Sequence, residues 1–174
     1  MEETVLIRQA QQGDRRAFST LYGLYKERFY RYARYRLGHD SDAEDAVSEC
    51  VLEIWKRLPT LREPAAFPAF AFRILSACCA RQVRWQIDRR TKSDLDAQGV
   101  IGDAALIHTD NTDTRLILEE ALATITDQER EIVLLSAVSG LNSNEIALIT
   151  GKPPGTVRSI LARSLKKLRR HLQS

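Results

Sequence analysis

Asn142-Ser-Asn-Glu145-Ile-Ala-Leu-Ile-Thr150-Gly151-Lys-Pro153-Pro154-Gly-Thr156-Val157-Arg158-Ser-Ile160-Leu161-Ala-Arg163-Ser-Leu165-Lys166-Lys167-Leu168-Arg169-Arg170 reads as a short helix, a glycine break and a longer cationic helix. Asn142 can cap the first helix by accepting from a free backbone N–H, and Glu145, three residues on, can bond back to it. Ile146, Ile149 and Thr150 then recur at helical spacing. Gly151 supplies a residue that can leave the helix with positive φ. Pro153-Pro154 cannot continue a helix but can begin one. The spacing predicts that Val157, Ile160, Leu161, Leu165 and Leu168 form the buried stripe of the second helix. Arg158, Arg163, Lys166, Lys167, Arg169 and Arg170 occupy its other faces, and no acid follows Glu145. A short capped helix, a glycine turn and a cationic second helix make a helix-turn-helix that a major groove admits. The competing reading is a helical hairpin whose cations merely suit a helix C-terminus and face water.

Outward from this segment, 174 residues suffice for one domain or two small ones. A hydrophobic content of 44% and a charged content of 28% fit a soluble globular chain. No apolar run approaches the roughly 20 residues that cross a bilayer, so no membrane insertion is expected. The acidic start, Met1-Glu-Glu-Thr-Val-Leu-Ile-Arg, lacks the charge pattern of a signal peptide, and a cytoplasmic location is expected. Cys50, Cys78 and Cys79 are odd in number, two of them adjacent. They make neither a disulfide framework nor a metal spacing and read as small buried helix residues.

The net charge of +3 is unevenly placed. Residues 1–90 carry 16 cations against 12 acids, residues 91–113 carry one against five, and residues 114–174 carry nine against six. The middle stretch is rich in Asp, Thr and Gly and has no helical stripe. It reads as a flexible acidic linker between two small helical domains. The expected architecture is therefore all-α, with domains over 1–90 and 114–174 and the helix-turn-helix in the second.

In the first domain, Phe18, Leu21, Tyr22, Tyr25 and Phe29 run at helical spacing to Leu37, and Gly38 closes that helix. Ser41 and Glu44 have capping-box spacing for the next. Ala43, Ala46, Val47, Cys50, Val51, Ile54 and Trp55 give it an apolar stripe, and Pro59 ends it. A third long helix begins near Pro64–Pro68 and runs to Arg90. The second of these helices has an acidic outer side: Asp40, Asp42, Glu44, Asp45, Glu49 and Glu53, with Leu52 on the side of Asp45, Ser48 and Glu49. Two readings stand here. The acids offset the helix dipole and the leucine is incidental, or an acidic face with an apolar centre docks on a basic protein helix. The third helix ends in Arg81, Arg84, Trp85, Arg89, Arg90 and Lys92. Basic residues interleaved with an aromatic suit melted nucleic acid, whose bases stack on rings; the competing reading puts Trp85 in the core.

Asp42-Ala-Glu-Asp45-Ala-Val-Ser-Glu49-Cys-Val-Leu-Glu-Ile-Trp55 resembles the core-polymerase-binding segment of bacterial sigma factors. Phe67-Pro-Ala-Phe70-Ala-Phe72-Arg73-Ile74 looks like the start of their promoter-melting helix. Leu118 to Leu135, with Gln128, Glu129, Arg130 and Glu131, followed by Gly140-Leu141, Glu145-Ile-Ala147, Gly151 and Gly155-Thr-Val157-Arg158-Ser159, is similar to their promoter-distal domain. The chain thus resembles the extracytoplasmic-function class of the sigma-70 family over almost its whole length. Two departures stand out. Ala77 and Arg81 occupy positions where the family usually carries Asn and Asp, and Pro153-Pro154 opens the recognition helix where a Ser cap is frequent.

The resemblance implies a sigma factor that binds core RNA polymerase and directs promoter-specific initiation. It assigns Asp45, Ser48, Glu49 and Leu52 to polymerase. Arg81, Arg84 and Trp85 go to the melted strand at the minus-ten element. Thr156, Arg158, Ser159, Arg163, Lys166 and Arg170 go to the duplex at the minus-thirty-five element. In this class an anti-sigma factor is an expected further partner. Catalytic residues, cofactors and metals are not expected, because no His–Cys–acid set, phosphate loop or ligand spacing is present. The alternatives are a stand-alone helix-turn-helix regulator of a duplex operator and a thiol redox sensor built on Cys78-Cys79.

Overall fold

The computed structural model describes residues 2–92 and 112–173. Among these residues the chain is helical without strands: α1 (Glu3–Gln11), α2 (Arg15–Leu37), α3 (Asp40–Arg57), α4 (Phe67–Lys92), α5 (Thr112–Leu122), α6 (Asp127–Ala137), α7 (Ser143–Thr150) and α8 (Pro154–Gln173). Short 3-10 turns at Leu58–Thr60 and Pro64–Ala66 join α3 to α4. The expected acidic linker, 91–113, lies outside the described residues except at its ends, where 91–92 close α4 and 112–113 open α5.

Local chemistry explains most boundaries. The Asp14 carboxylate accepts from the N–H groups of Arg16 and Ala17 and opens α2. Gly38, at φ 81°, ends it in the left-handed region, where a side chain would be strained. α3 departs from expectation. It begins at Asp40, with His39 as the extended preceding residue and no side-chain cap, so the Ser41–Glu44 box does not form. The Asp40 carboxylate is taken instead by Tyr30, Arg34 and Arg115, which draws the chain into the helix before Ser41. Helix α1 carries no stripe that the sequence reading used. It buries Leu6, Ile7 and Ala10. The amide of Gln11, its last residue, donates to the carbonyls of Leu58 (3.1 Å) and Leu61 (2.6 Å), pinning the α3–α4 connection.

The N-terminal core is aromatic. Phe29 and Phe72 meet edge-on at 5.1 Å between ring centroids, and Tyr25 meets Phe67 at the same 5.1 Å. Tyr25 and Phe29 stack at 5.6 Å. These rings join α2 to α4, while small residues, Ala43, Ala46, Cys50 and Ala71, let α3 come close to α4. The C-terminal core gathers Leu122, Ile125, Ile132, Leu135, Leu141, Ile146 and Val157. The two cores are continuous, because α6 lies on α2 and α7 on α4.

Phe72 is fully buried and touches both Phe29 and Tyr32. Phe72→Ala is expected to cost about 3–5 kcal/mol of stability, read as a lowered urea midpoint with an unchanged slope; an unshifted midpoint would contradict the packing described here.

Candidate nucleic-acid and protein interfaces

The residues of α3 separate into two sets that the sequence had grouped together. Asp45, Ser48 and Leu52 are exposed and Glu49 is half-exposed, forming one stripe at spacings of three, four and seven. Leu52 stands 63% exposed among them, as an apolar centre in a polar rim. Asp40 and Asp42 do not belong to this face. Asp42 is buried, accepting from the Gln86 amide (2.9 Å) and the Arg89 guanidinium (3.1 Å) of α4. It lies four residues before Ala46, on the inward side. Glu53 is held along the helix by Lys56 and Arg57.

At the far end of α4, Trp85 is 62% exposed and therefore not a core residue. Arg81, Arg84 and Trp85 lie at spacings of three and four, which puts them on one face of the helix. Arg84 is exposed. Arg81 is exposed but paired: its guanidinium donates to the Glu49 carboxylate of α3 and to the Cys78 sulfur at 3.3 Å. The expected protein-binding and strand-binding faces thus meet at this ion pair. Ala77, seven residues after Phe70, is exposed on the same helix.

The helix-turn-helix forms as α7, Gly151 and α8. The Asn142 and Glu145 side chains cap each other's backbone N–H groups at 2.9 and 3.0 Å. Gly151 has φ 75°. Thr156, Arg158, Ser159, Arg163, Lys166 and Arg170 are all exposed. The inward stripe of α8 differs from expectation at one place: Ser164 is fully buried, while Leu165 is 37% exposed. Residue 164 follows Val157 by seven positions and lies about 20° from it around the helix; residue 165 lies about 80° away. The Ser164 hydroxyl donates to Glu129 of α6 at 3.2 Å, and Lys167 reaches the same oxygen at 3.0 Å.

Glu129 was legible only as part of a motif, yet it seats the recognition helix. It also closes a capping box with Thr126 at the start of α6. The Thr126 backbone N–H above all, then Lys167, outweigh partial burial and hold the Glu129 carboxyl at about 2, below its ordinary 4.5. The sequence reading also missed Arg36, buried in α2 and bonded across to α6, and Leu148, 74% exposed on α7. The cysteines are core residues: all three are free and buried. Burial pushes the Cys79 thiol up to about 12, and a hydrogen bond with Cys78, together with burial, raises Cys50 far above its ordinary range. Neither is poised as a thiolate.

Comparison with known proteins matches these units. The family model for Sigma-70 region 2 matches residues 21–90, and the one for Sigma-70, region 4 matches residues 115–168. The ECF RNA polymerase sigma factor BldN of Streptomyces coelicolor is 31% identical over 174 aligned residues, 96% of this chain. The chain spans 64% of BldN's own length. In fold it is similar to CnrH, solved in complex with the cytosolic domain of CnrY, with a TM-score of 0.73 at 22% identity, covering 98% of this chain and 97% of that one. It is similar also to RpoE from Bartonella quintana, solved with the anti-sigma factor NepR, with a TM-score of 0.68 at 23% identity, covering 90% and 96%.

The lowered carboxyl of Glu129 stabilises the fold above its unfolded value near 4.5, and that stability is lost as pH falls through about 2. The difference in urea stability between the protein and Glu129→Gln is therefore expected to be full at neutral pH and to shrink from pH 4.5 downward; a difference constant across that window would contradict it.

Proposed function

Because this chain belongs to the sigma-70 family, in its extracytoplasmic-function class, we propose that it binds core RNA polymerase and directs it to promoters through the three surfaces described above. The observation that carries the reading is the exposure of Trp85. A tryptophan left outside the core beside Arg84, at the cationic end of a long helix, serves unpaired bases better than it serves stability. The exposed stripe Asp45, Ser48, Glu49 and Leu52 serves the polymerase. Its apolar centre and acidic rim suit a basic, partly apolar helix. The first turns of α8, with Thr156, Arg158 and Ser159, serve the edges of the minus-thirty-five duplex, and Arg163, Lys166 and Arg170 follow along the phosphates.

The family match supports a division into a region 2 unit over 1–90 and a region 4 unit over 114–174, with 91–113 between them. The chain acts as a specificity subunit and not as the catalyst of transcription. It works in the cytoplasm, where the polymerase is; among the described residues no helix is long and apolar enough to cross a membrane. The similarity to RpoE, solved with NepR, supports an anti-sigma factor as a further partner.

Run-off transcription with core polymerase tests the reading directly, and promoter-specific product requires the chain; product without it would overturn the assignment. Trp85→Ala is expected to lower open-complex formation several-fold while leaving thermal stability and closed-complex binding unchanged, because stacking is gained only once bases unpair. Early melting with normal promoter opening would make Trp85 structural. Arg158→Ala is expected to cost about 1–3 kcal/mol and relax preference at one base pair. Lys166→Ala is expected to weaken all sequences alike and reduce the salt slope by about one. Binding to single-base promoter variants at two salt concentrations separates the two, and equal loss in both would refute the division of roles.

A further inference from the structure

Helices α3 and α8 each leave an edge open, and the two edges are complementary. On α3 the edge is Asp45, Ser48, Glu49 and Leu52, with Leu52 63% exposed inside an acidic rim. Glu49 is tied to Arg81 through one carboxylate oxygen, Oε1, which leaves Oε2 for a second cation. On α8 the edge is Leu165, 37% exposed, and Leu172, 48% exposed, with the exposed Arg169 between them. Measured from the buried Val157 at 100° per residue, Leu172, Leu165 and Arg169 lie at about 60°, 80° and 120° around the helix. Ser159, Arg163, Lys166 and Arg170, proposed to meet duplex DNA, lie at about 180° to 240°. Arg158 shares the bearing of the leucine edge but stands two turns before Leu165. The leucine edge is therefore a second face of α8, apart from most of the DNA set.

The edges match in length, apolar content and charge. Asp45 precedes Leu52 by as many positions as Leu165 precedes Leu172, so each edge runs about 10 Å. Laid along each other in either direction, they bring one exposed leucine of α8 onto Leu52 and Arg169 to the level of Ser48 and Glu49. From Arg158 onward α8 carries Arg158, Arg163, Lys166, Lys167, Arg169 and Arg170 and no acid. The outer side of α3 carries Glu44, Asp45, Glu49 and Glu53. Two α8 edges therefore repel, and two α3 edges repel; only the unlike pair attracts. Both edges stand open in one folded chain, so another copy supplies what each of them fits.

We propose that copies of this chain dock head to tail, the Leu165–Arg169–Leu172 edge of α8 from one copy lying on the Asp45–Glu49–Leu52 edge of α3 from the next. The contact is heterologous, so it extends into rings or open chains and does not stop at a dimer. Edges of two helical turns bury less than the roughly 800 Å² per partner of a standard interface, which makes the association weak. Charge carries much of it, so it fades as the Debye length shrinks to about 3 Å in molar salt. The consequence for transcription rests on the proposed function: a docked copy covers the face assigned to polymerase, and surplus chain masks itself until polymerase displaces it.

The test uses the full chain in sedimentation equilibrium at low salt. The average mass of the unaltered protein is expected to rise above the 19.8 kDa monomer as concentration increases and to return to it in molar salt. Leu52→Asp removes the α3 edge, and Leu172→Asp with Arg169→Glu removes the α8 edge; each variant alone is expected to stay monomeric. Mixed in equal amounts, they still hold one intact edge of each kind and are expected to form a dimer that grows no further. That dimer also shows that both variants are folded, with circular dichroism as a second check. An unaltered protein that stays monomeric at every concentration overturns the docking, as do variants that associate alone or a mixture that stays monomeric. In run-off transcription, excess Leu52→Asp chain is expected to lower the yield of the unaltered chain several-fold by capping its α3 edge. The same chain with Leu172→Asp and Arg169→Glu added is expected not to do so; equal effects of the two competitors overturn the masking. If no form of the chain stimulates core polymerase while the mixed variants still pair, the docking stands and the sigma-factor reading fails.

Discussion

Arg36 is the constraint around which the rest of the molecule is arranged. A guanidinium that has left water must have its donors met and its charge answered. One nitrogen is satisfied inside the N-terminal half by Tyr32 and Ser76, which fixes α2 against α4. The charge is answered from the other half, by Asp127 and Glu131. The fold of the first half and its union with the second therefore meet at one side chain. Tyr32 and Arg36 lie one turn apart on the face of α2 whose rings reach Phe72, so the polar socket sits directly on the aromatic core. Burial pushes the Tyr32 hydroxyl well above its ordinary range against the opposing pull of the Arg36 guanidinium, which keeps it neutral and able to donate as well as accept.

The outer surfaces follow from what the core has already consumed. α3 turns Ala43, Ala46, Val47, Cys50 and Ile54 inward and spends Asp42 on the end of α4. What remains outside is the stripe through Asp45, Ser48, Glu49 and Leu52, whose one apolar residue stands mostly in solvent. α4 is apolar where α2 and α3 embrace it and becomes polar and cationic beyond Gln82. Trp85 lies past the reach of the core for the same geometric reason. α8 is seated by Val157, Ser164 and Leu168 on one side, which leaves its cations on the other.

Local signals made much of this legible from sequence. The apolar periodicities of α2, α3 and α4 became buried faces, because a long amphipathic helix has one stable way to hide its stripe. The Asn142–Glu145 box and Gly151 appeared where their spacing placed them, since a cap is a contact between near neighbours. The failures were of a different kind. Asp40 and Asp42 counted as surface acids, because nothing near them in sequence announces Arg115, 75 positions away, or Arg89, 47 positions away. The Arg36 socket joins residues 91 apart. Ser164 displaced Leu165 because the inward stripe of α8 follows positions seven apart rather than the most apolar residue nearby. Trp85 could not be assigned from composition: the same residue beside the same arginines serves a core or a surface, and only packing decides.

Glu129 shows how reading and stability are joined in the C-terminal half. A recognition helix carrying this many cations and no acid repels itself and gains nothing from its own length. Its fixed position must come from a partner outside the helix. Glu129 supplies that partner from α6 by holding the Ser164 hydroxyl and the Lys167 ammonium while it caps its own helix with Thr126. One carboxylate thus fixes the start of α6 and the middle of α8 relative to each other. Lys167 is thereby tied to α6 rather than to the cationic face proposed to meet DNA, although its charge alone would place it there. Arg158 and Lys166 keep their guanidinium and ammonium groups exposed on a helix whose rotation and depth are already set. That prior fixing matters for reading a duplex, because a bidentate contact to a base edge tolerates little error in helix placement, whereas a phosphate contact forgives it.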